Sequence, residues 1–272
     1  VHDIIPLLLP EHRGSLLERC YTALAAAATR GAAQIIADSH SSRQDIISRM
    51  QLPTNRVRTV HLAAAKKFAP QVGMNPANNL RAKYRLPESY VLYLGGFQRR
   101  KNVRHLLAAW TWAHSAMPEG YELVIAGRLP EHPDGRLFQD LPATARRHGI
   151  DESVCFIGAV DEADKPMLYQ GASCFVFPSS YEGFGLPPLE AMACGVPVIT
   201  TGAASIAEVV GDAAYLVSDP TDARKLGAAI ISTIVDTDLA NNLRERGLKQ
   251  AARFSWAQTA RETLRIYQLA AY

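Results

Sequence analysis

The chain has 272 residues, of which 48% are hydrophobic, 20% charged and 8% aromatic, proportions typical of a globular protein. They exclude an intrinsically disordered or fibrous chain, and the length suffices for one large domain or two small ones. Twenty-nine Lys and Arg against 26 Asp and Glu give a net charge of +3, too small and scattered an excess to indicate nucleic-acid binding. No apolar run approaches the roughly 18 residues of a membrane span, and no segment resembles a secretory signal.

The first seventy residues differ in pattern from the rest. The chain begins at Val1 and runs at once into HDIIPLLLP, which is typical of the middle of a domain, so we expect a fragment of a longer protein. A strand, a helix capped by Ser41 or Ser42, and a second strand follow. These elements are predicted at 34–38, 41–50 and 57–61. The Asn-, Pro- and Gly-rich segment 71–79 is the predicted linker.

From Tyr90 onward, apolar runs of four to six residues alternate with amphipathic helical patterns. Such runs are typical of parallel strands buried on both faces. Their alternation with helices predicts an α/β fold with a doubly wound, Rossmann-like sheet, whose ligand lies beyond the carboxyl ends of the strands. The chemistry is therefore expected in the loops that follow strands. The strands are predicted at 91–95, 122–127, 154–158, 174–178, 196–200 and 214–217.

The cysteines and histidines give no sign of a disulfide framework or a metal site. Cys20, Cys155, Cys174 and Cys194 are widely spaced and form no C-x-x-C pair, so we predict reduced, buried thiols in a cytoplasmic protein. The eight histidines show no metal-ligand spacing, which predicts the absence of a structural zinc site.

The loop after the first main strand combines flexibility with positive charge. Gly95 and Gly96 allow a sharp turn, and Arg99, Arg100 and Lys101 then stand at a helix N-terminus. Cations there oppose the helix dipole unless an anion offsets them. Phosphate is the natural anion, because the helix N–H groups and the cations point to the same place. The pattern favours phosphate binding over a solvated basic turn.

A second loop, 179–190, carries two glycines and two carboxylates. Gly183 and Gly185 let successive N–H groups face a phosphate, and the next helix follows at once. Glu182 and Glu190, eight residues apart, can accept hydrogen bonds from the paired hydroxyls of a sugar. The alternative is a capping loop with two surface glutamates.

Two further patterns have simpler interpretations. Ser205, followed three residues later by Glu208, predicts a capping box at a helix N-terminus, and a ligand role for this loop stays open. Residues 236–238 form a D-x-D pattern, which in some nucleotide-sugar enzymes holds a divalent metal. No strand precedes it here, so we predict a polar turn between two helices.

Taken together, YEGFGLPPLEAMACGVPVI with its E-x7-E spacing, YVLYLGGFQRRKN and ASIAEVVGDAA resemble the donor-binding region of the retaining glycosyltransferases of family 4. The resemblance runs over 90–272, and HDIIPLLLP and ADSHSSRQDI resemble the end of that family's N-terminal, acceptor-binding domain. It implies the GT-B fold, with two Rossmann-like domains and a cleft between them. Residues 1–74 would end the N-terminal domain, 75–254 would form the donor domain, and 255–272 would be a last helix crossing back through its apolar stripe.

The resemblance also implies roles for particular residues. Lys101 and Arg100 would neutralise the donor diphosphate, Glu182 would lie near the transferred sugar, and His2 would match a histidine near that sugar. Many family members carry Arg where this chain has Gly96, and Arg99 or Arg100 would compensate. The remaining residues implied to bind the donor are Gly95, Gly96, Gly183, Phe184, Gly185, Leu186 and, at the ribose, Glu190.

The expected activity follows from the same resemblance. It is the retaining transfer of a hexose, expected to be mannose from GDP-mannose, from a nucleotide-diphosphate sugar to a glycan or lipid-linked acceptor, without a metal ion or cofactor. The protein would act in the cytoplasm at the inner face of the membrane, with peripheral association through the N-terminal domain and no nucleic-acid partner. Two alternatives remain: a nucleotide-sugar-binding module that is inactive as a fragment, and a GT-B-like sugar-nucleotide epimerase, against which the E-x7-E spacing argues.

Overall fold

The computed structural model describes residues 1–12, 15–70 and 78–271, so most of the predicted linker lies outside the described residues. In residues 1–70, two short parallel strands pair, β1 (Ile35–Ala37) with β2 (Val57–Thr59). Three helices accompany them: α1 (Ile5–Leu8), α2 (Leu16–Gly31) and α3 (His40–Met50). Among the described residues, eight buried apolar side chains form a small core here, separate from the main one.

The rest of the chain is built on six parallel strands, which confirms the predicted α/β fold. They are β3 (Ser89–Leu94), β4 (Tyr121–Ala126), β5 (Val154–Gly158), β6 (Cys174–Phe177), β7 (Val198–Thr201) and β8 (Tyr215–Val217). Their order in the sheet is β5-β4-β3-β6-β7-β8. The chain adds strands outward from β3 to β5 on one side and then from β6 to β8 on the other, so the strand order reverses between β3 and β6. The loops after these two strands therefore lie side by side, at the place where such sheets bind ligands.

Helices cover the sheet and complete a large apolar core. They are α4 (Asn78–Tyr84), α5 (Val103–His114), α6 (Leu141–His148), α7 (Lys165–Gln170), α8 (Leu186–Ala193), α9 (Ser205–Val210), α10 (Ala223–Val235), α11 (Thr237–Ala251) and α12 (Trp256–Ala271). The apolar face of α5 is buried, with Leu106, Leu107 and Trp110 fully inaccessible. Within the part of the chain that the structure describes, no helix has both the length and the hydropathy to cross a bilayer.

Strand positions are confirmed to within one or two residues at each end, and the differences have local causes. The strand predicted at 196–200 begins only at Val198, because Pro197 has no N–H to donate to a ladder. Of the polar turn predicted at 236–238, only Asp236 lies between the helices, because α11 begins at Thr237; the Asp236 carboxylate caps α11 by accepting from the Leu239 N–H at 2.9 Å.

Two predicted helix caps are wrong. The N-cap of α3 is Ser39 rather than Ser41 or Ser42, because the Ser39 hydroxyl reaches the Ser42 N–H at 2.9 Å. Helix α9 has Ala204 at its N-cap, so Ser205 already lies inside the helix. The Ser205 hydroxyl donates instead to the Glu182 carbonyl at 2.7 Å.

Helix α12 contacts residues 1–70 through its polar face. Its N-terminus is capped by Ser255, whose hydroxyl accepts from the Gln258 N–H at 3.2 Å. The apolar stripe is exposed, however: Trp256, Leu264 and Tyr267 are 48%, 57% and 63% accessible. The helix packs through its other face, where the Thr259 hydroxyl donates to the His61 carbonyl at 2.7 Å.

The cysteines follow the prediction in part. All four are free; Cys174 and Cys194 are buried, and Cys155 is half-buried. Cys20 is exposed on α2, which corrects the expectation that every thiol is buried.

Candidate active site

The loop after β3 places its cations against the loop after β6. Residues Arg99–Lys101 form a 3₁₀ turn, and Asn102, in the left-handed conformation, precedes the first residue of α5. The Asn102 side-chain amide donates to the Pro178 carbonyl at 2.9 Å, and the Ser180 N–H donates to the Arg100 carbonyl at 2.9 Å. These two bonds hold the loops in register.

A buried carboxylate sits at the centre of this contact. One oxygen of Glu182, Oε1, lies 2.5 Å from Lys101 Nζ and 2.9 Å from Arg100 Nη1. The Ser179 hydroxyl donates to the same oxygen at 2.5 Å. Glu182 and Lys101 are each only 9% exposed, and water screens such a pair poorly. The structure thus brings together three of the four predicted catalytic residues.

Burial and the neighbouring carboxylate act in opposite directions on the pKa of the Lys101 ammonium. Burial lowers the pKa of Lys101, the nearby Glu182 carboxylate opposes that shift, and the Arg100 guanidinium adds to it. Its Nζ also lies 5.0 Å from the centre of the Phe177 ring, a favourable cation–π contact. An anion bound here would therefore meet two desolvated cations whose positions are already fixed.

The two predicted phosphate-loop glycines have different surroundings. A Cβ added at Gly95 would lie 3.1 Å from the Tyr93 hydroxyl oxygen, whereas one at Gly96 would meet nothing within 4 Å. The Gly96 carbonyl accepts a hydrogen bond from the Tyr93 hydroxyl at 2.5 Å. The turn is therefore anchored from inside the sheet by a tyrosine that the sequence analysis did not single out.

The loop 183–186 links the sheet to residues 1–70, the N-terminal segment. The Gly183 carbonyl accepts from the hydroxyls of Ser39, at 2.7 Å, and Ser42, at 2.9 Å. A Cβ at Gly183 would lie 2.5 Å from the His2 carbonyl oxygen, so only glycine fits here. Gly185 has a φ of +115° and caps α8, whose first residue is Leu186.

Phe184 and His2 border the same loop in different ways. The Phe184 side chain is 5% exposed, and its ring packs between those of His61 and Phe254. The His2 backbone lies against Gly183, as expected of a residue near the site. Its side chain is 86% exposed, and Nδ1 lies 2.6 Å from Asp38 Oδ2.

Glu190 lies on α8 and is half-buried. The Tyr169 hydroxyl donates to Glu190 Oε2 at 3.1 Å. Burial raises the pKa of Glu190 to about 7, and the hydrogen bond from Tyr169 and the charge of Lys165 act in the opposite direction. The structure does not pair Glu190 with the cations that hold Glu182. The two carboxylates of the E-x7-E pattern are thus chemically different.

A cavity of about 570 Å³ opens beside the Arg100 guanidinium, between the N-terminal segment and the loops after β3 and β4. Ligand pockets commonly have volumes of this order. Its lining is mostly polar and carries several carboxylates, which can accept hydrogen bonds from sugar hydroxyls. The lining includes Asp3, Glu11, His12, Gln98, Arg100 and Asp134.

The structure adds contacts that the sequence did not reveal. The Tyr181 hydroxyl donates to the Asp45 carboxylate on α3. Glu208 does not close a capping box on its own helix: its carboxylate accepts from the N–H groups of His40, at 2.8 Å, and Ser41, at 2.7 Å. Both contacts join residues more than a hundred positions apart, and no local pattern could have predicted them.

The same carboxylate brings two histidines together. His61 Nε2 lies 3.4 Å from Glu208 Oε2, and one potential metal-binding atom from each of His40, His61 and Glu208 lies within 4.8 Å of the others. Burial would raise the pKa of Glu208, but the bonds from His61 and the two amides outweigh it and hold that pKa below its ordinary value. These residues lie far apart in sequence, so the spacing of the histidines could not show the cluster.

The sheet order, the cation–carboxylate contact and the glycine loop define an α/β protein with a cluster of buried charges at its switch point. A family model described as glycosyl transferases group 1 matches residues 77–250, and the chain belongs to this family of glycosyltransferases. The HepE structure from Anabaena, in complex with UDP and glucose, superposes with a TM-score of 0.81 at 20% identity, over 98% of this chain and 70% of its own. The architecture is the GT-B type, as expected.

The curated relatives include several mannosyltransferases. The O-antigen chain mannosyltransferase B of Escherichia coli is 35% identical over 98% of this chain and 69% of its own length. The serotype-specific mannosyltransferase WbdA of Escherichia coli is 33% identical over 95% of this chain but only 32% of its own. The GDP-mannose:cellobiosyl-diphosphopolyprenol alpha-mannosyltransferase of Komagataeibacter xylinus is 30% identical over 76% of this chain and 52% of its own. The chain thus spans between about a third and two thirds of these relatives.

Proposed function

We propose that the protein is a retaining mannosyltransferase that moves mannose from GDP-mannose to a glycan or lipid-linked acceptor. The names of three relatives, all mannosyltransferases and one of them a GDP-mannose enzyme, support the sugar and the nucleotide. The acceptors in two of these names, an O-antigen chain and a cellobiosyl-diphosphopolyprenol, support a glycan or lipid-linked acceptor. The observation that carries the proposal is the pair of desolvated cations, Arg100 and Lys101, fixed on Glu182 at the start of α5.

The geometry suits stabilisation of a departing diphosphate. When the anomeric C–O bond breaks, negative charge grows on the phosphate oxygens of the leaving group. Arg100 and Lys101 are already oriented by Glu182, so little reorganisation is needed as that charge develops. These cations would supply the charge that a divalent metal supplies in other sugar transferases, and we propose metal-independent transfer.

The remaining predicted residues would position the donor. The N–H groups of the loop 183–186 would donate to phosphate and sugar, and Glu190, when ionised, would accept from the two ribose hydroxyls. The polar cavity beside Arg100 would admit the acceptor to the same face of the sugar as the leaving group. Same-face attack, which retains the anomeric configuration, follows the family resemblance.

A donor-binding module without transfer activity is the second candidate. This candidate is favoured because the chain matches only part of the length of its relatives. In those proteins, residues that contact the acceptor could lie in the part that has no counterpart here. The two candidates share donor binding and differ only in acceptor-dependent turnover.

The first test is thermal stabilisation of the chain by GDP, UDP and ADP, each with and without EDTA. At 100-fold over Kd, a true ligand raises the free energy of unfolding by about 2.7 kcal/mol. We expect GDP to stabilise most and EDTA to leave the increment that GDP adds unchanged. Stabilisation by none of the three would contradict donor binding, and loss of it with EDTA would contradict metal independence.

Lys101→Ala tests the leaving-group role with GDP-mannose and a mannose-terminated acceptor. Removing one such charge contact should cost on the order of 2–4 kcal/mol in the transition state, a fall in kcat/KM of about 30- to 1,000-fold. The matched control is Lys249→Ala, which removes an exposed lysine from α11. Equal kcat/KM in the two variants would contradict the role. GDP binding without turnover in the unmodified chain would favour the module.

A further inference from the structure

Three potential metal ligands converge on the far side of the loop 183–186 from the Lys101 cluster. They come from the first residue of α3, the residue two positions after β2, and the middle of α9: His40, His61 and Glu208. Three separate chain segments thus meet at one point. None of these residues has a part in the proposed transfer reaction.

The separations suit a small transition-metal ion. Zinc bonds nitrogen and oxygen at about 2.0–2.2 Å, which in tetrahedral geometry leaves neighbouring ligand atoms about 3.4 Å apart. His61 Nε2 and Glu208 Oε2 already lie 3.4 Å apart. His40 is the most exposed of the three, and its donor atom lies within 4.8 Å of both others. Binding the ion would require the His40 side chain, whose Nδ1 now lies 3.2 Å from Thr59 Oγ1, to rotate toward the other two ligands.

Glu208 and His61 are each held in place by neighbouring groups. Each Glu208 oxygen accepts one backbone N–H, from His40 or Ser41, and each carboxylate oxygen has a second lone pair. The His61 carbonyl accepts from Thr259, and its ring packs against Phe184 and Phe254. Outer contacts of this kind orient metal ligands and raise affinity.

A polar cavity of about 300 Å³ borders two of the ligands. His61 and Glu208 line it, together with Gln250, Gln258, Thr259 and Glu262. It leaves room for water at the fourth position of a tetrahedral ion, as in zinc sites with three protein ligands.

From these observations we propose that His40, His61 and Glu208 bind one zinc ion. The donor set of two imidazoles and one carboxylate suits zinc, which prefers nitrogen and oxygen ligands in tetrahedral geometry. Bound there, the ion joins α3 and the residue after β2 to α9. It strengthens the contact between the N-terminal segment and the main sheet and takes no part in sugar transfer.

Zinc binding is measured by titration calorimetry on the full chain, purified without a polyhistidine tag and stripped with chelator. We expect one equivalent to bind and the melting temperature to rise. His40→Ala and His61→Ala should each weaken the affinity about tenfold or more, since each removes one of three protein ligands. The control is His148→Ala, an exposed histidine at the end of α6, which should bind zinc as the unmodified chain does. Cobalt in place of zinc should give the visible absorption of a tetrahedral site.

His40 is exposed, so its variant should fold normally, and circular dichroism checks that it does. Unchanged zinc affinity in folded His40→Ala would overturn the proposed ligand set. No binding to the unmodified chain, or equal weakening in His148→Ala, would overturn the site itself. Calorimetry and cobalt spectra do not depend on turnover, so this result is independent of whether the protein transfers mannose.

Discussion

Glu182 and Glu190 belong to one sequence pattern but lie in opposite electrostatic surroundings. Glu182 is compensated by Lys101 and Arg100, whereas Glu190 has one tyrosine hydroxyl as its nearest partner and a pKa near 7. In the proposed reaction Glu182 would hold the cations that meet the diphosphate, while Glu190 can change its charge close to neutral pH. That difference assigns them different tasks.

The raised pKa of Glu190 predicts that donor affinity depends on pH. Only the ionised carboxylate can accept from both ribose hydroxyls, so GDP-mannose should bind more tightly as pH rises from 6 to 8, through the pKa of about 7. In Glu190→Gln the affinity should be lower and nearly independent of pH. GDP-mannose is the right probe, because its diphosphate has no proton to lose in this range. Calorimetry at pH 6, 7 and 8 measures both curves, and parallel pH profiles would contradict the assignment.

At the scale of elements, one loop carries both the site and the contact with the N-terminal segment. The Gly183 carbonyl accepts from two serines of that segment, and the next residues begin α8. Any displacement of the segment therefore reaches the loop proposed to bind the donor.

Gly183→Ala tests this coupling. The new Cβ would lie 2.5 Å from the His2 carbonyl and 2.9 Å from Asp3 Cβ, so backbone must shift. We expect a loss of about 1–3 kcal/mol in the free energy of unfolding and weaker binding of GDP. Gly202→Ala is the control, since a Cβ there meets nothing within 4 Å. Urea denaturation and nucleotide titration report the two effects, and equal stability in the two variants would refute the close approach.

Much of this architecture could be predicted from sequence, because buried parallel strands are continuous apolar runs. The strand 154–158 was located to the residue, and the loops after β3 and β6 were recognised from their glycines and charges. The partners of those loops could not be predicted. Ser39 was missed because the choice among adjacent serines depends on which hydroxyl reaches the amide at N3, and the capping role of Glu208 belongs to a helix far away in sequence. Periodicity shows which face of a helix is apolar, and α12 shows that it does not tell what covers that face.

At the scale of the whole molecule, the two cores differ greatly in size. The main core includes every strand of a six-stranded sheet, whereas the core of residues 1–70 has eight buried members around strands of three residues. Leu16, Leu17, Tyr21 and Leu24 of α2 are all at least 70% exposed, so this helix adds little to the smaller core. The N-terminal segment therefore depends on its contacts with the loop at 181–183 and with Glu208 of α9.

This difference predicts that the N-terminal segment opens before the sheet does. Amides of β1 and β2 should exchange with deuterium at least about 100-fold faster than those of β3 and β6, because a small core opens at lower free energy. Ser39→Ala removes both the α3 cap and a bond to Gly183, at a cost of about 1 kcal/mol, so exchange in β1 and β2 should quicken about fivefold while β3 is unchanged. Ser48→Ala, at an exposed position of α3, is the control. Exchange resolved by peptide mass spectrometry measures both, and a common rate for all strands would mean that the two cores unfold as one cooperative unit.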